Sequence, residues 1–337
     1  MSAPDISVVI PTLSRAPSLR RMLETLAAQE TGGAFTYEVV VVDNGSTDDT
    51  RSTIERMSGT FPVPLRCVGE PRRGRPVALN TGLRHASGEI FVITDDDLEV
   101  TPDWLQGFRR CFAEEHPDGV AGRVLPRWVN GLPTWLGPEA LQDVNRLGLG
   151  LLDHGDRRLS SRDKRYCRWV GGNMAIRREA VERVGGFDTR MVRGQDREYY
   201  ERCAQEGLVL CYEPAALAYH LVGDDRLTPA YFRRWRARQG RYDAYLLDWR
   251  MSDLLTILPL WWYRDAGLAV GRLCRASWMR RPSWERFRQE LVLRHALSVW
   301  LRRLQLWPRW WATVLTGRNW LPAPEITVWP TAHTGRA

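Results

Sequence analysis

Glu89-Ile90-Phe91-Val92-Ile93-Thr94-Asp95-Asp96-Asp97 is the stretch from which the fold can be read. Ile90 to Thr94 form a short apolar, β-branched run of the kind buried in a sheet. A buried strand should end in turn residues, yet this one ends in three carboxylates, which repel one another and resist desolvation. A positive charge must compensate them, and oxygen-only ligands at a strand end suit a hard cation such as Mg2+ or Mn2+. A solvated acidic turn capping a helix that starts near Pro102 is the plain alternative.

The segments on either side favour a site. Ile6 to Ile10 reads as a buried strand ending at Pro11-Thr12. Pro17 to Gln29 carries Leu19, Met22, Leu23 and Leu26 at helical spacing. Tyr37 to Val42 is a second strand, closed by Asp43-Asn44-Gly45-Ser46, with Thr47 and Asp48 able to cap a helix through Met57. Leu65 to Val68 predicts a third strand and Val77 to His85 a helix before the Glu89–Thr94 strand. Strand and helix alternate through residue 115, which predicts an α/β fold with a mostly parallel sheet and helices on both faces. Ligands of such sheets sit beyond the carboxyl ends of the strands, where Thr12, Asp43 and Asp95–Asp97 all lie. Residues 120–168 show no clean period and read as a long irregular segment that sets specificity. Order returns at Trp169–Ile176, with helices expected at 178–184 and 196–206 and a strand at 208–212.

The 337 residues are 44% hydrophobic and 26% charged, ordinary for a globular chain. Six scattered cysteines form no C-x-x-C pair and fit buried thiols in a reducing compartment. Met1 to Asp5 lead straight into a strand, so no secretory leader is expected, and no apolar run reaches the roughly 18 residues of a membrane span. The expected location is cytoplasmic. Charge is unevenly divided. Residues 226–337 hold 20 arginines, no lysine and 7 acids, a net of +13, so the first 225 residues carry 8 − 13 = −5.

Taken together these residues resemble family 2 glycosyltransferases of the GT-A (Rossmann-like) fold. The matching motifs are Ser7–Thr12 with Arg15, Val39–Asp48, Gly74–Gly82, Asp95–Asp97, Gly171-Gly172-Asn173, Gly185–Asp188 and Gly194-Gln195-Asp196, in that order. The resemblance spans residues 5–240 and implies an inverting transfer from a nucleotide-diphospho-sugar, UDP-linked if the family pattern holds, with Mn2+ or Mg2+ as cofactor. It implies that Asp97, Asp95 and His220 ligate the metal. It also implies that Pro11, Thr12, Arg15, Asp43, Ser46, Arg75, Asn80, Asp95, Asp96, Gly172 and Asn173 bind the donor. Asp43 holds uracil in relatives. Asp196 aligns with the aspartate of the family's Glu-Asp pair and is the expected base, ionised at a helix N-terminus. Two positions depart from the pattern: Ser14 where relatives often show Asn, and Gln195 where Glu is common. Arg233–Gln239 loosely resembles the Gln/Arg/Trp segment of processive relatives, but its order differs and no channel accompanies it.

Eleven of the 16 tryptophans lie at or after Trp249. Leu297, Trp300, Leu301 and Leu304 recur at helical spacing among Arg294, Arg302 and Arg303, which predicts a C-terminal helical extension lying in a membrane interface. Packing on the catalytic domain or across a homo-oligomer is the alternative. Nucleic acid is excluded, because the arginines alternate with aliphatics rather than with aromatics in a polar groove. The expected domains are 1–240, catalytic, and 241–337, basic and tryptophan-rich, touching anionic membrane through 245–320 on the inner face of the cell membrane. The expected acceptor is a hydroxyl of a cell-envelope glycan or a lipid-linked molecule. A nucleotidyltransferase would want a glycine- and lysine-rich phosphate loop that Thr12–Arg20 does not supply. A non-catalytic nucleotide-sugar scaffold would not need Asp97 and Asp196 together.

Overall fold

The computed structural model describes residues 3–136, 148–163, 169, 171–191, 194–246, 260–278 and 283–316. Those up to Arg127 and within Gly150–Leu221 form one compact unit; those within Trp128–Leu149 and Val222–Pro324 form a second. The expected boundary at 240 falls inside the second unit, because one helix, Pro229–Leu246, runs across it.

In the first unit, β1 (Ile6–Thr12), β2 (Tyr37–Asp43), β3 (Leu65–Gly69) and β4 (Ile90–Thr94) pair in parallel in the order β3-β2-β1-β4. Every residue of β1, β2 and β4 is buried, as the unbroken Val/Ile runs require of strands covered on both faces. Helix α1 (Ala16–Ala27) buries the four apolar residues its spacing singled out, and α2 (Thr50–Ser58) and α3 (Arg75–His85) complete the alternation.

Beyond β4 the sheet turns antiparallel, so it is mixed where a mostly parallel one was expected. Short β5 (Leu98–Val100) and α4 (Trp104–Glu115) lead to β6 (Gly119–Trp128) and β7 (Leu159–Ser160). Then come β8 (Asn173–Arg177), α5 (Arg178–Val184), α6 (Gln195–Gln205) and β9 (Leu210–Val222). The full order is β3-β2-β1-β4-β8-β6-β9-β5, with β7 also on β9. The expected irregular segment therefore opens with a ten-residue strand. Its two glycines, its proline and its two arginines interrupt the apolar run that would have shown it, and β6 is only partly buried. Pro214 sits inside β9 without breaking it. It falls between the β7 pairing at 211–212 and the β5 pairing at 218–220, where a missing N–H costs no ladder bond on that side.

Three registers bring the strand ends together. Val9 lies opposite Ile93, so Thr12, three residues on, is level with Asp96. Thr94 pairs antiparallel with Asn173, so the chain enters β8 beside the exit of β4 and sets Gly171-Gly172 against the aspartates. Leu98 pairs with His220, which brings that histidine beside Asp97.

The second unit is helical: α7 (Pro229–Leu246), α8 (Leu260–Trp278) and α9 (Ser283–Thr316). Trp135 packs against Phe232, Trp284 and Phe287, and Trp300 against Ala244 and Val299. Of the face expected for Leu297, Trp300, Leu301 and Leu304, Trp300 is thus partly buried against its neighbours. Trp284 and Trp310 are buried, as is Arg303, while Leu297, Leu301 and Leu304 remain 56%, 45% and 37% exposed. Burying Trp284 and Trp310 removes large apolar areas from water, whereas Trp278 of α8 is 90% exposed.

Candidate active site

The three aspartates have different surroundings. Asp96 is buried: its Oδ2 accepts from Thr12 Oγ1 at 2.7 Å and its Oδ1 from Arg15 Nη1 at 3.0 Å. Burial pushes its carboxyl up to about 6, against the opposing pull of the Thr12 hydroxyl and Arg15. The same Arg15 nitrogen donates to Asp97 Oδ2 at 3.0 Å, and His220 Nε2 lies 3.4 Å from that oxygen. Asp95 Oδ1 is gripped by Arg75, from Nε at 3.0 Å and Nη2 at 2.5 Å. Two arginines therefore offset the triplet's charge in this structure. Arg15 and Arg75 stay more firmly protonated than usual, because burial, which opposes their charge, is outweighed by these aspartates.

Arg75 also joins the two halves of the unit. Its Nη2 donates to the Gly171 carbonyl at 2.7 Å, and the Gly171 N–H donates to Asp196 Oδ2 at 3.1 Å. Asp196 stands in the first turn of α6, after Gly194 in the left-handed region that glycine favours. The glycines are a steric requirement. A Cβ on Gly171 would meet Arg75 Nη1 at 3.0 Å and Asp196 Cβ at 3.2 Å, and one on Gly172 would meet Asp95 Oδ2 at 2.8 Å. Arg75 Nη1 is buried with no hydrogen-bond partner, a donor set facing the same cluster.

The donor residues expected after β1 and β2 do come together. Asp43 Oδ1 accepts from Ser46 N at 2.8 Å, and Ser46 Oγ accepts from Ser14 N at 2.8 Å, tying the two loops. Ser14 has a φ of 52°, a conformation that asparagine tolerates better than most residues, which gives a physical reason for the alternative at that position. Pro11 stands one residue before Thr12 on the buried strand.

Two expected donor ligands are turned elsewhere. Asn80 gives Nδ2 to the Phe187 carbonyl and accepts from Phe187 N, both at 2.8 Å, so its buried amide is spent on the Gly186-Phe187 turn. Asn173 is wholly buried: Trp104 Nε1 donates to its Oδ1, and its Nδ2 donates to the Arg123 and Ala216 carbonyls, each at 2.9 Å. Both satisfy backbone or ring groups that would otherwise be buried unpaired. Asp96 likewise has both carboxylate oxygens engaged within the protein, by Thr12 and Arg15. Asn44 was missed as a positioning residue. It donates to the Glu70 and Arg72 carbonyls and accepts from Gly74 N, fixing the loop that delivers Arg75. The Asp43-Asn44-Gly45 turn held no such signal, since a local Asx turn would engage backbone two residues on and these partners lie 26 to 30 residues away.

No group of three His, Cys, Asp or Glu is gathered as a ready cage among the described residues. Asp97, which Arg15 also contacts, and the adjacent His220 fit a cation that takes its remaining ligands from substrate oxygens.

The model of glycosyl transferase family 2 matches residues 7–185, just over half of the chain. Glycosyltransferase AglE of Haloferax volcanii is 24% identical over 261 residues, 77% of this chain and 80% of that one. The pre-mycofactocin glycosyltransferase of Mycobacterium tuberculosis is 29% identical over 280 residues, 80% of this chain but 54% of that relative, so the chain spans about half its length. Among solved structures, the mannosyltransferase PcManGT from Pyrobaculum calidifontis, in complex with GDP-Man and Mn2+, superposes with a TM-score of 0.61 at 23% identity. The match covers 90% of this chain and 88% of that one, a likeness of fold.

Proposed function

This chain belongs to glycosyl transferase family 2, and from that premise we propose that it transfers a sugar, with inversion, from a nucleotide-diphospho-sugar to a hydroxyl of a glycan or lipid-linked acceptor. The observation that carries the reading is the chain of contacts Asp95–Arg75–Gly171–Asp196, which sets a first-turn carboxylate next to the charged strand end. In this reaction the acceptor oxygen attacks the anomeric carbon, the bond to the diphosphate breaks on the opposite face, and Asp196 takes the hydroxyl proton. Asp196 stands in the first turn of α6, and its charge is among those felt by the Arg75 guanidinium. Arg75 Nη1, a buried donor in want of an acceptor, suits a diphosphate oxygen. Asp97 and His220 are the residues that would hold Mn2+ or Mg2+, whose chemistry when bound is to offset charge on the leaving diphosphate. Asp43, with Ser46 and the Thr12–Arg15 segment, supports a base and ribose pocket, and the donor this favours is UDP-linked.

Catalysis lies in the first unit. The second, by its exposed Leu297, Leu301 and Leu304 and its arginines, is assigned to an anionic membrane surface. No described helix is long and apolar enough to cross a membrane. The test is Asp196→Asn. Thermal stabilisation by UDP- or GDP-sugars with Mn2+ should survive while transfer is lost; unchanged turnover removes Asp196 as the base.

A further inference from the structure

Arg15 has a fixed backbone and a side chain with room to move. Three successive N–H groups tie its backbone to the turn after β2 and the start of α2. Ser14 N donates to Ser46 Oγ at 2.8 Å, Arg15 N to Thr50 Oγ1 at 3.2 Å and Ala16 N to Asp48 Oδ2 at 3.1 Å. The side chain is 46% exposed, and one nitrogen, Nη1, makes its bonds to both Asp96 Oδ1 and Asp97 Oδ2, at 3.0 Å each. A guanidinium has five N–H donors, so others are left for a second anion.

Asp97 Oδ2 is claimed from two sides. Arg15 Nη1 closes on it, and His220 Nε2 faces it at 3.4 Å. A cation taking this oxygen would stand about 2 Å from it, so cation and Arg15 Nη1, itself 3.0 Å away, could be no more than about 5 Å apart. Like charges at that separation repel, and a guanidinium cannot shed its proton to escape. The side chain has to swing off Asp97. It swings from a backbone bonded to Ser46, beside Asp43, in the segment assigned to the donor nucleotide. A donor diphosphate there offers Arg15 a replacement for the carboxylate.

We infer that Arg15 is an internal counter-ion of Asp97, which the cation displaces and the donor diphosphate takes up, so that cation and donor bind cooperatively. A cation alone breaks the Arg15–Asp97 contact without replacing it. A donor alone draws Arg15 away and leaves Asp97 without its counter-ion. With both present a single movement serves both, and the coupling is equal in the two directions. The inference rests on the cation reading of Asp97 and His220, and its test separates the two.

Mn2+ binding to the full chain without nucleotide would be measured by the electron paramagnetic resonance of free Mn2+. Coupling would be read by calorimetry as the ratio of UDP affinity in saturating Mn2+ to that in chelator, with GDP in parallel. Arg15→Gln should tighten Mn2+ binding about fivefold or more and shrink the coupling ratio by a similar factor. Arg73→Gln, at an exposed arginine whose guanidinium lies beside Gly45, should change Mn2+ binding by less than about twofold. Arg15→Gln also removes a charge beside buried Asp96, so the comparison would be repeated in an Asp96→Asn background, where Arg15 still meets Asp97. Unchanged Mn2+ affinity in Arg15→Gln with weakened UDP binding would overturn the inference and leave Arg15 a plain phosphate ligand. Equal tightening from Arg73→Gln would overturn the direct contact and leave a diffuse field. Tighter Mn2+ with undiminished coupling would overturn the hand-over to diphosphate. Mn2+ held as tightly by Asp97→Asn as by the parent would overturn the cation reading itself, whatever Arg15 does.

Discussion

Asp96→Asn should make the metal-free protein more stable at neutral pH. Asp96 is buried and its carboxyl is raised from 3.8 to about 6, first by burial. The native state therefore holds this proton more tightly than the unfolded chain does. With more protons bound in the native state, stability falls as pH rises from about 3.8 to about 6 and is flat above. At 1.36 kcal/mol per unit, the ionised carboxylate costs the fold about 3 kcal/mol at pH 7.5 and about 0.5 kcal/mol at pH 4. Asparagine fills the same space: Oδ1 can accept from Arg15 as before, and Nδ2 can donate to the Thr12 hydroxyl that now donates to Oδ2. Removing the charge should recover most of the cost, raising the melting temperature by about 5 °C at pH 7.5 and hardly at pH 4. Calorimetry in chelator at the two pH values reads this out. A variant destabilised equally at both would refute the reasoning, showing that the Thr12 and Arg15 bonds outweigh the burial of charge.

Glu70 runs the other way. Its carboxyl is held down to about 2, first by the Arg72 side chain, so its contribution is present above pH 4.5 and is lost as pH falls toward 2. Discounted for the 70% exposure of Arg72, Glu70→Gln should cost about 2 kcal/mol at pH 7 by urea denaturation, with the cost vanishing in acid. Gly172→Ala puts a methyl 2.8 Å from Asp95 Oδ2, so kcat/KM should fall by about tenfold to a hundredfold with the fold retained, and normal kinetics would contradict the close approach. Asn80→Ala removes both bonds to the Phe187 backbone and should cost about 2–4 kcal/mol of stability while leaving the donor KM of the folded fraction unchanged. A raised KM would return Asn80 to the donor site.

The parallel half of the sheet was legible because its strands are buried on both faces, and burial on both faces writes itself as the unbroken Val39–Val42 and Ile90–Ile93 runs. β6 was not legible, since a partly buried strand with an internal glycine and proline carries no such run. Asn80 and Asn173 show the matching limit among motifs. A polar residue at a motif position reads alike whether it meets a ligand or satisfies a buried backbone.

By itself the sequence determined which residue types stand at the strand ends: aspartates after β4, Asp43 closing β2, Thr12 closing β1 and Arg15 just beyond it. Local period and turn chemistry fix those positions, and they need no distant partner. Only the tertiary structure decided what those side chains do. The antiparallel entry of β8 carries Gly171 and Gly172 to Asp95, Arg75 ties them to Asp196, and the β5–β9 register seats His220 beside Asp97. These pairings join residues tens to more than a hundred positions apart. Their free energy depends on contacts formed only when the sheet closes, and no local pattern in the chain records them.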